Sequence, residues 1–463
     1  MPVSLQPEDI AWVSEQTNRA ALFVANSYPD LSLLWDYLRK SEEKAIRGDF
    51  EPAGEDGSGN AEFGFALHAM RHLVAPQSTH LFKELGMPDS MSRIDTGKLF
   101  TPFYGVPLQK VTSHGSLNLE MPFANLDIGW AMSTIAEVLR KAGIIPTHPF
   151  KNTPAAIEGL DEKDDLTIAI IGDWGTGHWA DGACDCPAKL VAQAIRNMNP
   201  QPDILLHLGD VYYAGRPAEE TNRFLLDFPA IASGLHFTLN SNHEMYSGAN
   251  GYFGKALSHY SFQAQQSSSF FSIKYKNYRL VGLDTAYFDA SLMIGKGAIS
   301  SSANQSQVEF LQNLGLKANE KLIIFTHHNC LPYEGTSVEP LYAEVQKALS
   351  RNPDYWYYGH IHAGIVYGDG WANENPAYKC PSGNYPGIRC VGHSAIPYGR
   401  GCLTNDEKTV RHFASTPYKA NTCRAADCRV LNGFATIRLT NKGIEEKMYE
   451  VDANGLGSIS WQI

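Results

Sequence analysis

The stretch LTIAIIGDWG, residues 166–175, is a short apolar run that ends abruptly in Gly172, Asp173, Trp174 and Gly175. A continuous apolar run of this length reads as a strand buried on both faces, and the polar residues that close it mark the rim where the strand emerges. The pattern recurs along the chain. DILLHL (203–208) runs into GDVYY, LHFTL (235–239) into NSNHE, KLIIFT (321–326) into HH, and YWYY (355–358) into GHIH. YRLVGL (278–283) ends in Asp284. Between these runs, residues 187–197, 218–228, 306–314 and 340–349 carry apolar side chains at helical spacing. Alternating strand and helix predicts an α/β domain whose chemistry gathers at the C-terminal ends of its strands. The closing run GFATIRLTNKGIEEKMYEV (433–451) alternates like a hairpin that extends or covers a sheet.

Toward the N-terminus the pattern changes. Residues 9–28, 31–46, 63–74 and 125–142 show helical periodicity, 49–64 is a loop rich in Gly, Glu and Asp, and 145–165, with Pro146, Pro149 and Pro154, reads as a linker. We therefore expect a mostly helical N-terminal domain over 1–160 and one catalytic domain over 161–463. Cys380, Cys390, Cys402, Cys423 and Cys428 crowd a loop insert at 380–428, where disulfides, a structural metal and reduced thiols are all open readings.

The 463 residues are 43% hydrophobic and 19% charged, enough to bury a core and too apolar for a disordered chain. The formal net charge of -11 argues against nucleic acid as a structural partner and against an anionic membrane surface. The start MPVSLQPEDIAWV lacks a basic segment followed by an apolar core, and no window has the roughly 20 apolar residues of a membrane span. The expectation is a soluble, cytoplasmic protein, with export by a route lacking a classical signal left open. The oligomeric state is not legible.

The residues that can carry chemistry stand almost entirely at the strand ends: Asp173, Asp210, Asn242 with His243, His327 with His328, and His360 with His362. An aspartate after a strand is by itself most often a turn former, and an isolated His-x-His is weak. Five strand ends with carboxylate, amide, phenol and imidazole groups on one rim are another matter. Two cations a few Å apart need a shared carboxylate, for which Asp210 is the natural candidate, and neutral nitrogen or oxygen ligands to complete each shell. Such a pair clamps a phosphoryl group and lowers the pKa of a bound water, so that hydroxide attacks phosphorus in line. His243, beside Asn242, is placed to protonate the leaving oxygen.

The order GDWG, GDVYY, NHE, HH, GHIH resembles the calcineurin-like metallophosphoesterases and, within them, looks most like the purple acid phosphatases, over roughly residues 166–451. Most of the superfamily has Asp-x-His in the first motif, whereas this chain has Asp173-Trp174-Gly175. Purple acid phosphatases compensate with a tyrosine in Gly-Asp-x-x-Tyr, here Gly209 to Tyr213. Tyrosinate is a hard anionic ligand that suits Fe(III). The resemblance implies a four-layer α/β/β/α sandwich and hydrolysis of phosphate esters at an Fe(III)-M(II) centre. Asp173, Asp210, Tyr213 and His362 would hold the ferric ion, and Asp210, Asn242, His327 and His360 a divalent partner, Fe, Zn or Mn. His243 would be the acid and Glu244 the group that orients it, while Tyr212 reads as packing.

Ser241 stands where the family usually has glycine, and the motif THHNC favours His327 by register, with His328 as the alternative. His393, in VGHSAIPYG, is a candidate substrate contact, and Asp284 a candidate support behind the metals. The Cys184-x-Cys186 loop near His178 reads as a disulfide or plain loop rather than a metal site. The expected partner is a phosphorylated small molecule. Alternatives are a phosphodiesterase of the same fold, a metal-dependent redox enzyme, and a partner-binding scaffold.

Overall fold

The computed structural model describes residues 146–160, 162–176, 186–231, 234–291, 294–396, 409–417 and 430–463, together with a few earlier positions including Glu137 and Arg140. The helical domain expected before residue 146, His178, Cys184, and Cys402, Cys423 and Cys428 lie outside the described residues. Within them, two sheets face each other. The eight-stranded sheet contains β1 (Ala155–Ile157), β5 (Phe271–Tyr275), β6 (Tyr278–Gly282), β7 (Lys321–Thr326), β8 (Tyr355–Tyr358), β9 (Gly364–Tyr367), β10 (Gly387–Val391) and β11 (Val410–Phe413), in the order β11-β9-β10-β8-β7-β6-β5-β1. The six-stranded sheet contains β2 (Leu166–Ile171), β3 (Ile204–His207), β4 (Leu235–Thr238), β12 (Asn432–Leu439), β13 (Ile444–Val451) and β14 (Gly457–Gln462), in the order β14-β13-β12-β2-β3-β4.

The apolar runs singled out in the sequence are the parallel centres of the two sheets. β2, β3 and β4 run parallel, with Ile168 opposite Ile204 and Ile204 opposite Leu235. In the other sheet β6, β7, β8 and β10 run parallel, with Ile323 opposite Tyr355 and Leu280. Ile168, Ile170, Leu206, Phe237, Ile323 and Phe325 meet between the sheets. Helix α1 (Pro187–Arg196) covers the outer face of the six-stranded sheet through Leu190, Val191 and Ile195. Helices α3 (Ser306–Gln312) and α4 (Pro340–Leu349) cover the outer face of the eight-stranded sheet, α4 with Leu341, Tyr342 and Val345. The result is the four-layer α/β/β/α arrangement. A one-turn helix, α2 (Asn242–Met245), follows β4.

Two details differ from the sequence reading. The stretch expected as a linker contains β1, which pairs in parallel with β5 at the edge of the larger sheet, so the sheet begins ahead of residue 160. Three residues are too few to show a period, and only the neighbouring strand stabilises them. The C-terminal hairpin of β12 and β13 is present as expected, and a third strand, β14, continues it. Cys330, Cys380 and Cys390 are free thiols, so neither described cysteine of the insert is in a disulfide. No helix among the described residues is long and apolar enough to cross a membrane.

One polar contact ties the sheets together through their apolar interior. Arg389 on β10 binds Glu446 on β13 through two hydrogen bonds of 2.9 and 2.8 Å, and the Tyr357 hydroxyl donates to the same carboxylate at 2.6 Å. Both charged side chains are almost fully buried. Removing one partner leaves the other charge buried and unpaired, at a cost of about 3–5 kcal/mol, whereas replacing both by apolar groups costs far less. Arg389→Ala is therefore expected to lower stability by about that amount in urea titrations, and Arg389→Met with Glu446→Leu to recover most of it.

Candidate metal centre

The C-terminal ends of β2, β3, β4, β7 and β8 open on one side of the molecule and bring Asp173, Asp210, Asn242, His327, His360 and His362 together. The first turn is built from its own motif. The Trp174 indole is buried and donates to the Ala188 carbonyl at 3.0 Å, anchoring the turn to α1, while Asp173 N donates to Gly209 O at 3.1 Å. Asp173, Asp210 and His360 all have positive φ, of 55°, 75° and 63°. Left-handed backbone is uncommon for side chains other than glycine, and it turns each of these residues off its strand toward the centre. Glycines make the space. A Cβ on Gly359 would lie 2.8 Å from Asp173 Oδ2, and one on Gly392 would lie 2.9 Å from the same atom.

The donor atoms then fall into two groups. In one, Asp173, Asp210 and His362 converge, with His362 Nε2 3.6 Å from Asp173 Oδ1. Asp173 Oδ2 accepts the His360 backbone N–H at 3.0 Å, while its buried Oδ1 makes no hydrogen bond. The phenol that meets this group is that of Tyr212, whose hydroxyl lies 3.1 Å from Asp210 Oδ2 and 2.7 Å from His362 Nε2. The reading of Tyr212 as packing is corrected by this contact. The ring of Tyr213 lies under the Arg223 guanidinium, 5.1 Å from its centroid. Gly-Asp-x-x-Tyr spacing selects Tyr213, whereas the path of the turn brings the Tyr212 hydroxyl to His362.

In the second group, His327 Nδ1 donates to Leu208 O at 2.8 Å, which makes Nε2 the lone-pair nitrogen of a neutral ring. Burial pushes this imidazole down to about 3, with the Asp210 charge opposing. Nε2 faces Asn242 Oδ1 at 2.8 Å and Asp210 Oδ1 at 3.2 Å. Three ligand-type atoms converge here, Asp210 Oδ1 also accepting the Ser241 hydroxyl at 2.5 Å, and His360 Nδ1, buried without a hydrogen bond, completes the set. This is the donor chemistry of a cation site. His328 is spoken for: its Nδ1 accepts from the Thr285 hydroxyl at 2.8 Å, and its Nε2 donates to Ile294 O at 2.6 Å. His327, His328 and His360 offer ring nitrogens within 4.8 Å of one another, and of the two after β7 it is His327 that meets Asn242 and Asp210.

Charge is unevenly distributed between the two aspartates. Burial and the neighbouring Asp210 push Asp173 well above the usual carboxylate range. Burial would do the same to Asp210, but His327 and His243 overcome it and hold Asp210 low.

His243 is fully buried, its ring stacked on Tyr212 at 4.0 Å, and its Nδ1 donates to Tyr213 O at 2.5 Å. Glu244, expected to orient His243, does something else. Its carboxylate accepts Val211 N–H at 3.2 Å and contacts the Ser241 hydroxyl, so it ties the turn after β3 to α2. Burial and the Asp210 charge push Glu244 up to about 8. Ser241 caps α2 by accepting His243 N–H at 3.1 Å and lies 2.5 Å from Asp210 Oδ1. Asp284 turns out to be a turn former, accepting from Ala286 N, Tyr287 N and the Asn240 amide.

The His393 ring is fully buried against Gly364 and Gly433, where a Cβ would lie 2.6 and 2.7 Å from it. That places it between the two sheets, away from the expected substrate contact. The preceding Gly392 is the residue of this loop that borders Asp173.

Burial pushes His393 down to about 3, from an ordinary 6.5. The folded protein keeps the ring neutral while the unfolded chain protonates it below about 6.5, so its contribution to stability is lost as pH falls toward 3, by about 1.4 kcal/mol per pH unit. Denaturant titrations between pH 6.5 and 4.5 should show this slope added to that of the other buried histidines, and His393→Asn should lessen it by about 1.4 kcal/mol per pH unit.

Residues 166–364 match the model of the calcineurin-like phosphoesterase family. A search of curated proteins finds no match. Among solved structures, a purple acid phosphatase from yellow lupin (Lupinus luteus) seeds is similar at 16% identity and TM-score 0.41, over 66% of this chain and 55% of that one. PhoD is similar at 12% identity and TM-score 0.43, over 68% and 69%. GAP50, described as the anchor in the inner membrane complex of Plasmodium, is similar at 15% identity and TM-score 0.41, over 65% and 88%. The structural likenesses are distant.

Proposed function

We propose that this chain, whose residues 166–364 are a calcineurin-like phosphoesterase domain, hydrolyses phosphate esters of small molecules at an Fe(III)-M(II) pair. The domain is that of a metal-dependent phosphoesterase; the identity of the metals and the residues that hold them are the reading advanced here. The observation that carries it is the meeting of His327 Nε2 with Asn242 Oδ1 at 2.8 Å and Asp210 Oδ1 at 3.2 Å, beside a second cluster of Asp173, Asp210 and His362.

In this reading Asp173, Asp210, His362 and a tyrosine would hold the ferric ion, and Asp210, Asn242, His327 and His360 would hold a divalent Fe, Zn or Mn ion. The Tyr212 hydroxyl, 2.7 Å from His362 Nε2, is the phenol best placed to serve, in preference to Tyr213. When bound, such a pair supplies positive charge for the phosphoryl oxygens and lowers the pKa of water toward neutrality.

The chain's own groups do the rest. Asp173 and Asp210 would supply the carboxylates that hold the cations, whose positive charge would let phosphate approach a protein of net charge -11. His243, with Nδ1 fixed on the Tyr213 carbonyl, exchanges a proton at Nε2 with the leaving oxygen. Its stacking on Tyr212 holds the ring plane, so proton transfer does not wait on side-chain rotation.

Metal analysis is expected to find iron and a second divalent ion, and the protein should be coloured by phenolate-to-Fe(III) absorption. Tyr212→Phe is expected to remove the band and Tyr213→Phe to leave it; the reverse result would move the phenolate to Tyr213. Asp210→Ala should reduce phosphomonoester turnover by more than the roughly 10–100-fold typical of residues behind metal ligands. Metal-free, colourless protein without esterase activity would overturn the reading.

A further inference from the structure

The one-turn helix α2 carries both Asn242 and, one helical turn on, Tyr246, which occupies its C-terminal boundary. Residues four apart on a helix lie on one face, and the Asn242 Nδ2 amide donates to the Tyr246 hydroxyl oxygen at 2.8 Å. Both side chains are buried, at 3% and 1% exposure, so no solvent competes for the amide. The two ends of a carboxamide have nearly the same shape and opposite function: the oxygen binds a cation and the NH2 repels one. With Nδ2 committed to Tyr246, Oδ1 points at His327 Nε2, 2.8 Å away. Turned the other way, the amide would set N–H groups toward the cation, and the Tyr246 hydroxyl would have to donate to the amide oxygen in place of accepting from Nδ2.

We propose that Tyr246 is a positioning residue for the divalent half of the centre, orienting the Asn242 amide so that its oxygen faces the metal. The proposal rests on the dinuclear reading above and adds a determinant outside the ligand set. The Tyr246 hydroxyl meets Asn242, and its ring packs against His243 at a centroid distance of 4.9 Å. The expected effect is one-sided: Asp173, Tyr212 and His362 are held by contacts of their own, so the ferric half keeps its ligands when the phenol is removed.

The test is divalent-metal affinity in the full-length protein, read by competition with a chelator, alongside the visible spectrum. Tyr246→Phe is expected to weaken divalent binding roughly 10–100-fold, the range typical of residues that orient ligands, while the phenolate band remains. Manganese or zinc alone serves as the probe. In an Asn242→Asp background the same substitution should have little further effect, because a carboxylate presents oxygen whichever way it turns. Unchanged divalent affinity in folded Tyr246→Phe overturns the proposal, as does an equal loss in the Asn242→Asp background, which would make Tyr246 a packing residue only. Wild-type protein that binds no divalent ion overturns the dinuclear reading and this proposal together, so the two failures are distinguishable.

Discussion

Ligand-type side chains brought together in the protein interior are the constraint around which the rest of this structure is organised. Nε2 of His327 lies 2.8 Å from Oδ1 of Asn242 and 3.2 Å from Oδ1 of Asp210, all three side chains buried. Left alone such a set is unfavourable, because few donors replace the hydration that its polar atoms have lost. The fold meets that cost by building the cluster on rigid elements. Parallel strands of both sheets end at it: β2, β3, β7 and β8 are hydrogen-bonded on both sides, and β4, the edge strand that leads to Asn242, is paired with β3. A cation would convert the same arrangement from a burden into a binding site.

The groups behind the ligands explain why the cluster does not relax. His327 is pinned through Nδ1 to Leu208 O, Asn242 through its amide to Tyr246, and Asp173 through Oδ2 to the His360 backbone. Glu244 and Ser241 join the turn after β3 to α2, which carries Asn242 and His243. Gly359 and Gly392 let two loops close over Asp173 where any side chain would collide with its carboxylate. Each device removes a rotation that would let an acceptor turn away. The Arg389–Glu446 pair acts at the scale of the sheets, holding together the two layers whose edges form the rim.

Much of this was legible in the sequence because buried parallel strands are written as uninterrupted apolar runs. LTIAII, KLIIFT and YWYY coincide with β2, β7 and β8 residue for residue. The short edge strand β1 escaped because three residues carry no period of their own. The candidate ligands were legible for the same reason: a carboxylate or imidazole just beyond an apolar run has only the rim to occupy. Their supports were not. Tyr246 looks like any aromatic four residues into a helix, and Glu244 looks like a partner for the histidine next to it. Adjacency in sequence misled there, since neighbouring residues on a turn face different ways.

What the sequence by itself determined was the order of strands and rim residues, and with it the α/β class and the convergence of two aspartates, an asparagine and histidines at one edge. Periodicity and strand-end chemistry are local, so one chain suffices to read them. The choice between equivalent neighbours was decided only by the tertiary structure: Tyr212 rather than Tyr213 against His362, His327 rather than His328 against Asn242, and Gly392 rather than His393 beside Asp173. The physical reason is shared by all three. Consecutive residues have the same surroundings in sequence and opposite directions in space, and only the backbone path through left-handed turns and packed sheets selects which of the two faces the centre.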